Sequence, residues 1–174
     1  MIIMGIRPAK CFRDMTKVAW TRFSRSKPRK SYIKSMPHRD LNTFRTGTKN
    51  DKYDAVIDLV SSGDITLRDN ALESARQTLN KHLETAFPGN YYLVVRAYPH
   101  HIIRENKMIA GAGADRLQKG MRQSFGRPTD RAARLKAGSS VFTVYTFKQN
   151  LNFVKSALTR CKRKLSGSYT VQVA

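Results

Sequence analysis

Between Asp51 and Val95 the chain carries 4 basic and 7 acidic side chains, whereas the 50 residues before hold 13 and 2 and the 79 after hold 16 and 3. This distribution restricts what can fold. The middle can close on itself without self-repulsion, while the flanks must lend it their apolar residues and keep their cations outside. Over 174 residues the formal net charge is +21. A polyanion is the partner that neutralises such a particle, with nucleic acid first and a membrane surface second.

The length fits one domain, or one domain with an arm, and a hydrophobic fraction of 40% supports a modest core. No apolar run approaches the roughly 20 residues that span a bilayer, and Met1–Ile6 is too short for a secretory apolar region. The expected compartment is the cytoplasm. Cys11 and Cys161 are far apart and lack CxxC spacing, which predicts reduced structural thiols rather than a disulfide framework or zinc knuckle.

Residues 1–50 read as an extended basic arm, because no helical or alternating pattern is sustained and Pro8, Pro28 and Pro37 interrupt it. Phe12, Trp20, Phe23, Tyr32 and Phe44 alternate with cations, so ring stacking and phosphate contact can follow one another along it; the alternative is a solvated tail whose rings pack on the domain. The candidate contacts are Arg7, Lys10, Arg13, Lys17, Arg22, Arg25, Lys27, Arg29, Lys30 and Lys34. Arg127, Arg131 and Arg134 join them from the later basic segment.

Residues 51–174 read as a single α+β domain. Asp54–Val60, Tyr91–Tyr98, Val141–Phe147 and Tyr169–Val173 have strand character. A helix is predicted from a capping box at Asn70 and Glu73, with Leu72, Ala75, Leu79 and Leu83 on its inner face and Phe87-Pro88-Gly89 as its stop. Asn150 caps a second helix whose apolar stripe is Leu151, Val154, Leu158, Cys161 and Leu165. The expected architecture is a mixed sheet with both helices on one side.

Residues 110–126 contain four glycines, and Arg116, Lys119, Arg122 and the following Arg127 supply phosphate donors. The stretch fails as a dinucleotide loop, since Arg116 stands where a third glycine belongs, and as a Walker loop, since Lys119 precedes Gly120 and Met121 replaces the hydroxyl ligand. His100 and His101 are adjacent, so on an extended chain they face opposite ways and cannot readily share a metal. Glu105, Asp115 and Asp130 have no acid–base or nucleophile context. Neither an enzyme, a metal, a cofactor nor a small-molecule substrate is expected.

Gly5-Ile-Arg7-Pro8-Ala-Lys10-Cys11, Ala71-Leu72-Glu73-Ser-Ala75-Arg76, Ile103-Arg104-Glu-Asn-Lys107-Met108, Ala112-Gly113-Ala-Asp115-Arg116-Leu117-Gln118 and Gly120-Met121-Arg122 together form a specific signature. Nearly end to end, the chain resembles the large-subunit ribosomal proteins called L-ten-e in archaea and eukaryotes, counterparts of bacterial L-sixteen. The arm resembles the archaeal and eukaryotic form rather than the bacterial one. The family usually begins at the equivalent of Met4, so Met1-Ile2-Ile3 departs from the pattern.

The resemblance implies a hammerhead-type α+β domain on large-subunit rRNA, beside neighbouring ribosomal proteins and the A-site and P-site tRNAs. It also implies a mobile loop over about 104–126 that points toward the peptidyl transferase centre. In that loop Arg104, Lys107, Arg116, Gln118, Lys119 and Arg122 would contact RNA, and Gly111, Gly113 and Gly120 would supply flexibility. A free regulatory RNA-binding protein acting away from the ribosome is the alternative.

Overall fold

The computed structural model describes residues 6–15, 26–108, 113, 116 and 118–173. β-branched and aromatic residues make β2 (Ala55–Ser61) and β7 (Ser140–Thr146) an antiparallel pair inside a five-stranded sheet. β1 (Arg45–Gly47) and β4 (Tyr92–Val95) extend it beyond β7, and β8 (Tyr169–Val173) closes the other edge beside β2. A second sheet has three strands, with β6 (Arg127–Leu135) between β3 (Ile65–Arg68) and β5 (His101–Glu105).

Two helices cover the core. α1 (Asp69–Ala86) buries Leu72, Ala75, Leu79 and Leu83 and touches β3 and β6; α2 (Leu151–Lys162) buries Val154, Ala157, Leu158 and Cys161 and touches β2 and β8. They pack on each other, with the Cys161 thiol 3.6 Å from the Ala75 carbonyl, and burial pushes that thiol up to about 12. Their apolar faces share one cluster with Ile57, Leu59, Leu93, Phe142 and Val144 of the larger sheet and Leu67 and Ala133 of the smaller.

The α+β class is as expected, but the sheet is not mixed. Every pairing among the described residues is antiparallel, and there are two sheets rather than one. Nor is the expected capping box formed. Asn70 lies inside α1, and the buried Asp69 carboxylate accepts the backbone N–H groups of Asn70 (2.9 Å) and Asp40 (3.0 Å), while Glu73 instead pairs with Arg76 at 2.6 Å. Asn150 does occupy the N-cap of α2, without a side-chain capping bond, and the helix stops at Lys162 before Leu165.

The segment expected to be an arm is tied to the domain at several points. Leu41 and Ile33 are fully buried, β1 pairs with β4, the Arg13 carbonyl accepts the Thr66 N–H at 2.7 Å on the edge of β3, and Arg131 Nε donates to the Pro37 carbonyl at 3.0 Å. Two of these attachments, the β1 pairing along β4 and the Arg13 bond on β3, occupy strand edges that would otherwise be unpaired. Lys17, Trp20, Arg22, Phe23 and Arg25 lie outside the described residues, as do Met1 to Gly5.

Candidate nucleic-acid interface

β5 and β6 form a hairpin whose last pair is Glu105 opposite Arg127, so residues 106–126 are its connection. Strand pairing at Arg104 and Glu105 therefore moves the start of the loop from the expected Arg104 to Asn106. Near this end the register shifts, leaving Thr129 as an extra residue on β6, and Pro128 stands opposite Arg104. A proline with no N–H is accommodated there because β3 pairs only with Ala132–Leu135 and makes no demand on it.

The neck of the loop is braced from several directions. Gln118 Nε2 donates to the Lys107 carbonyl at 3.0 Å and to Asn106 Oδ1 at 3.3 Å, and Asn106 Nδ2 reaches the Gly120 carbonyl at 3.4 Å. Arg104 donates to the Phe125 carbonyl at 2.8 Å, with its guanidinium 3.9 Å from the centre of the Phe125 ring. Gly126 closes the neck at φ +76°, and a Cβ there would lie 2.7 Å from the Glu105 carbonyl carbon and 2.8 Å from Asn106 N. From the N-terminal segment, Arg7 Nε donates to Glu105 Oε1 at 2.8 Å.

Beyond the neck the chain presents cations. Lys107, Arg116, Lys119, Arg122 and Arg127 are exposed, and a turn of 3₁₀ helix over Gly120–Gln123 carries Arg122 outward. Met108, Met121 and Phe125 are also exposed beside them. An open groove of about 460 Å³ is lined by Arg7, Phe12, Arg104, Asn106, Met108 and Met121. Donors for phosphate oxygens beside soft apolar and aromatic surface suit an RNA strand with its bases turned outward.

The expected contact residues thus divide. Lys10, Arg13, Lys27, Arg29, Lys30 and Lys34 are exposed with the loop cations, and Gly113 and Gly120 hold positive φ. Arg7, Arg104, Gln118 and Arg131 hydrogen-bond within the protein, and Arg134 is half-buried in β6 opposite Thr66. Gly111 lies outside the described residues. Asn106, Phe125 and Gly126 were not among the candidates, since only the hairpin pairing brings them to one neck.

The outer side of the smaller sheet is cationic as well. The buried Arg68 guanidinium lies 4.6 Å from the Phe12 ring centre, and half-buried His101 is in β5 opposite Ala132. Burial, followed by the fields of Arg134, His100 and Arg104, pushes the His101 imidazole down to about 4 from its usual 6.5. The unfolded chain then binds more protons between these values, so the contribution is intact above pH 6.5 and is lost as pH falls toward 4. After allowance for solvent screening the loss is about 1–2 kcal/mol. Thermal unfolding of the free protein should fall more steeply over this window than that of His101→Gln; parallel curves would contradict it.

Sequence comparison gives the context of this surface. The chain is 40% identical over 163 residues to the large ribosomal subunit protein uL16 of Methanococcus aeolicus, covering 93% of this chain and 90% of the relative. It is 44% identical over 164 residues to that of Thermofilum pendens, covering 93% of each, and 42% identical over 163 residues to that of Staphylothermus marinus. The family model described as Ribosomal protein L16p/L10e matches residues 20–172. With identity of this order across nearly the whole chain, the protein belongs to the L16p/L10e family of ribosomal proteins, which are structural proteins rather than enzymes.

Proposed function

We propose that the protein is a structural constituent of the large ribosomal subunit, bound to large-subunit rRNA through its basic surfaces. In this reading the 106–126 connection extends toward the A-site and P-site tRNAs near the peptidyl transferase centre. The observation that carries the reading is the cation-rich loop on a braced hairpin neck. Hydrogen bonds and a close backbone approach fix its base, while Lys107, Arg116, Lys119 and Arg122 remain exposed. A neck held in this way can aim donors at RNA without taking part in chemistry. Its place is on the ribosome in the cytoplasm.

Attachment of this kind is dominated by phosphate contacts and releases counterions. If about ten phosphates are neutralised, the logarithm of affinity for large-subunit rRNA should fall against the logarithm of salt with a slope of about −7 to −9. Gradient sedimentation gives the companion test. The protein should travel with large subunits at low salt and be stripped from them at high salt. Its recovery at the top of a low-salt gradient, with none on the subunits, would favour a free regulatory RNA-binding protein instead.

A further inference from the structure

The two helices cover the same core, yet their outer surfaces differ in charge, α1 being balanced and α2 cationic. On α1 the carboxylates of Glu73 and Glu84 accompany Arg76 and Lys81, Arg76 is paired with Glu73, and Asp69 is buried. α2 has no acidic residue at all. Lys155, Arg160, Lys162, Arg163 and Lys164 instead follow its outer side and last turn, and exposed Lys148 stands just before its start. None of these six cations has an ion-pair partner among the described residues.

Helix stability does not account for the pattern. The macrodipole favours cations in the last turn, which suits Arg160 and Lys162, but it disfavours Lys148 at the N-terminal end and gives nothing to Lys155 near the middle. Of the remaining outward positions Asn152, Ser156 and Thr159 are small and polar, and Phe153 is exposed at the flank with its ring edge-on to Phe87, so the face carries one ring but no balancing acid. A helical row of unopposed donors, flanked by the single exposed ring of Phe153 rather than by an apolar patch, matches a phosphate backbone better than a protein surface.

We propose that the outer face of α2 is a second RNA-docking surface, separate from the loop, which grips the backbone of large-subunit rRNA. The inference rests on the ribosomal reading above, and the experiment separates the two. A cleavage reagent, Fe(II)-EDTA, is tethered at Thr159→Cys or, in the loop, at Gln123→Cys, both in a Cys11→Ser chain assembled on large subunits. Cys161 is buried and stays unlabelled. Both tethers should cut rRNA, at different places. In parallel, combined Lys155→Gln, Arg160→Gln and Arg163→Gln should reduce the log–log salt slope of rRNA binding by about two, with the unfolding midpoint unchanged.

Cutting from Gln123→Cys but not from Thr159→Cys would overturn the second surface and leave the ribosomal reading standing. So would a lowered midpoint with an unchanged slope, which would make the cations structural. Absence of the chain from subunits, together with no rRNA cut from either position, would overturn both.

Discussion

Replacing Gly126 with alanine is expected to lower the unfolding midpoint by several degrees and to loosen the loop neck. Two costs combine at this residue. A side chain at φ +76° is strained, which costs about 1–2 kcal/mol. The new Cβ would also sit within 2.9 Å of the Glu105 carbonyl oxygen and closer still to the adjoining peptide atoms. That backbone cannot withdraw without weakening the last hairpin pair, Glu105 with Arg127, and the Arg7 contact on the Glu105 side chain. A total of about 3 kcal/mol corresponds to a midpoint drop of roughly 6–12 °C for a chain of this size. Gly138→Ala is the internal control, because Gly138 has φ +80° with nothing within 4 Å of a Cβ and so carries only the conformational cost. Equal drops for the two variants would show that the close approach at the neck contributes nothing. Hydrogen exchange of the Asn106 and Arg127 amides should accelerate in Gly126→Ala alone.

The larger sheet was legible because its strands advertise themselves. Val141–Thr146 and Tyr92–Val95 are β-branched and aromatic, and both faces of β7 are covered, as such a run requires. The smaller sheet was not. β6 reads Arg-Pro-Thr-Asp-Arg-Ala-Ala-Arg-Leu, with no period of two, a proline near its start and three arginines. The face that bears Arg68 is not all solvent, since Phe12 lies against that guanidinium, and on the opposite face Arg131 donates to the Pro37 carbonyl. Alternation of apolar and polar residues is a signal of one wet face, and it is lost where an N-terminal segment lies over that face. The same coverage explains why residues up to 50 read as an arm. Ile33 and Leu41 are isolated apolar residues in sequence and gain their partners only in the folded chain.

For the site, the sequence conveyed which residues carry charge and glycine but not which way they turn. Arg104 and Arg122 are alike in composition terms. Arg104 projects from a paired strand and is held by Phe125, whereas Arg122 leaves a 3₁₀ turn into solvent. Gln118 shows the same limit, since its amide joins two stretches of loop eleven and twelve residues away along the chain. Such assignments depend on the hairpin register, and the register depends on strands whose pattern was hidden. The cations of α2 were visible in the sequence, but their meaning came from comparison with the balanced surface of α1.

Combined replacement of Arg116 and Arg122 by alanine is expected to leave folding intact and impair the work of the loop. Both side chains are exposed, and neither makes a salt bridge among the described residues. Their removal should therefore change the unfolding midpoint by no more than surface substitutions usually do, about 0.5 kcal/mol in stability. If they meet tRNA or rRNA near the reacting ends, each removed phosphate contact weakens placement through a charge-assisted hydrogen bond worth about 1.5–3 kcal/mol. Two such losses correspond to roughly a hundredfold or greater fall in productive occupancy at limiting tRNA. Peptide-bond formation by reconstituted large subunits should fall accordingly and be partly restored by raising tRNA concentration, because positioning is affected and no catalytic group is lost. Arg104→Ala should behave differently. It removes the brace on Phe125, so loss of activity should accompany a lower midpoint. A marked midpoint drop in the Arg116 and Arg122 variant would show that those arginines hold the loop to its own domain. Unchanged peptide-bond formation at limiting tRNA would remove them from tRNA placement.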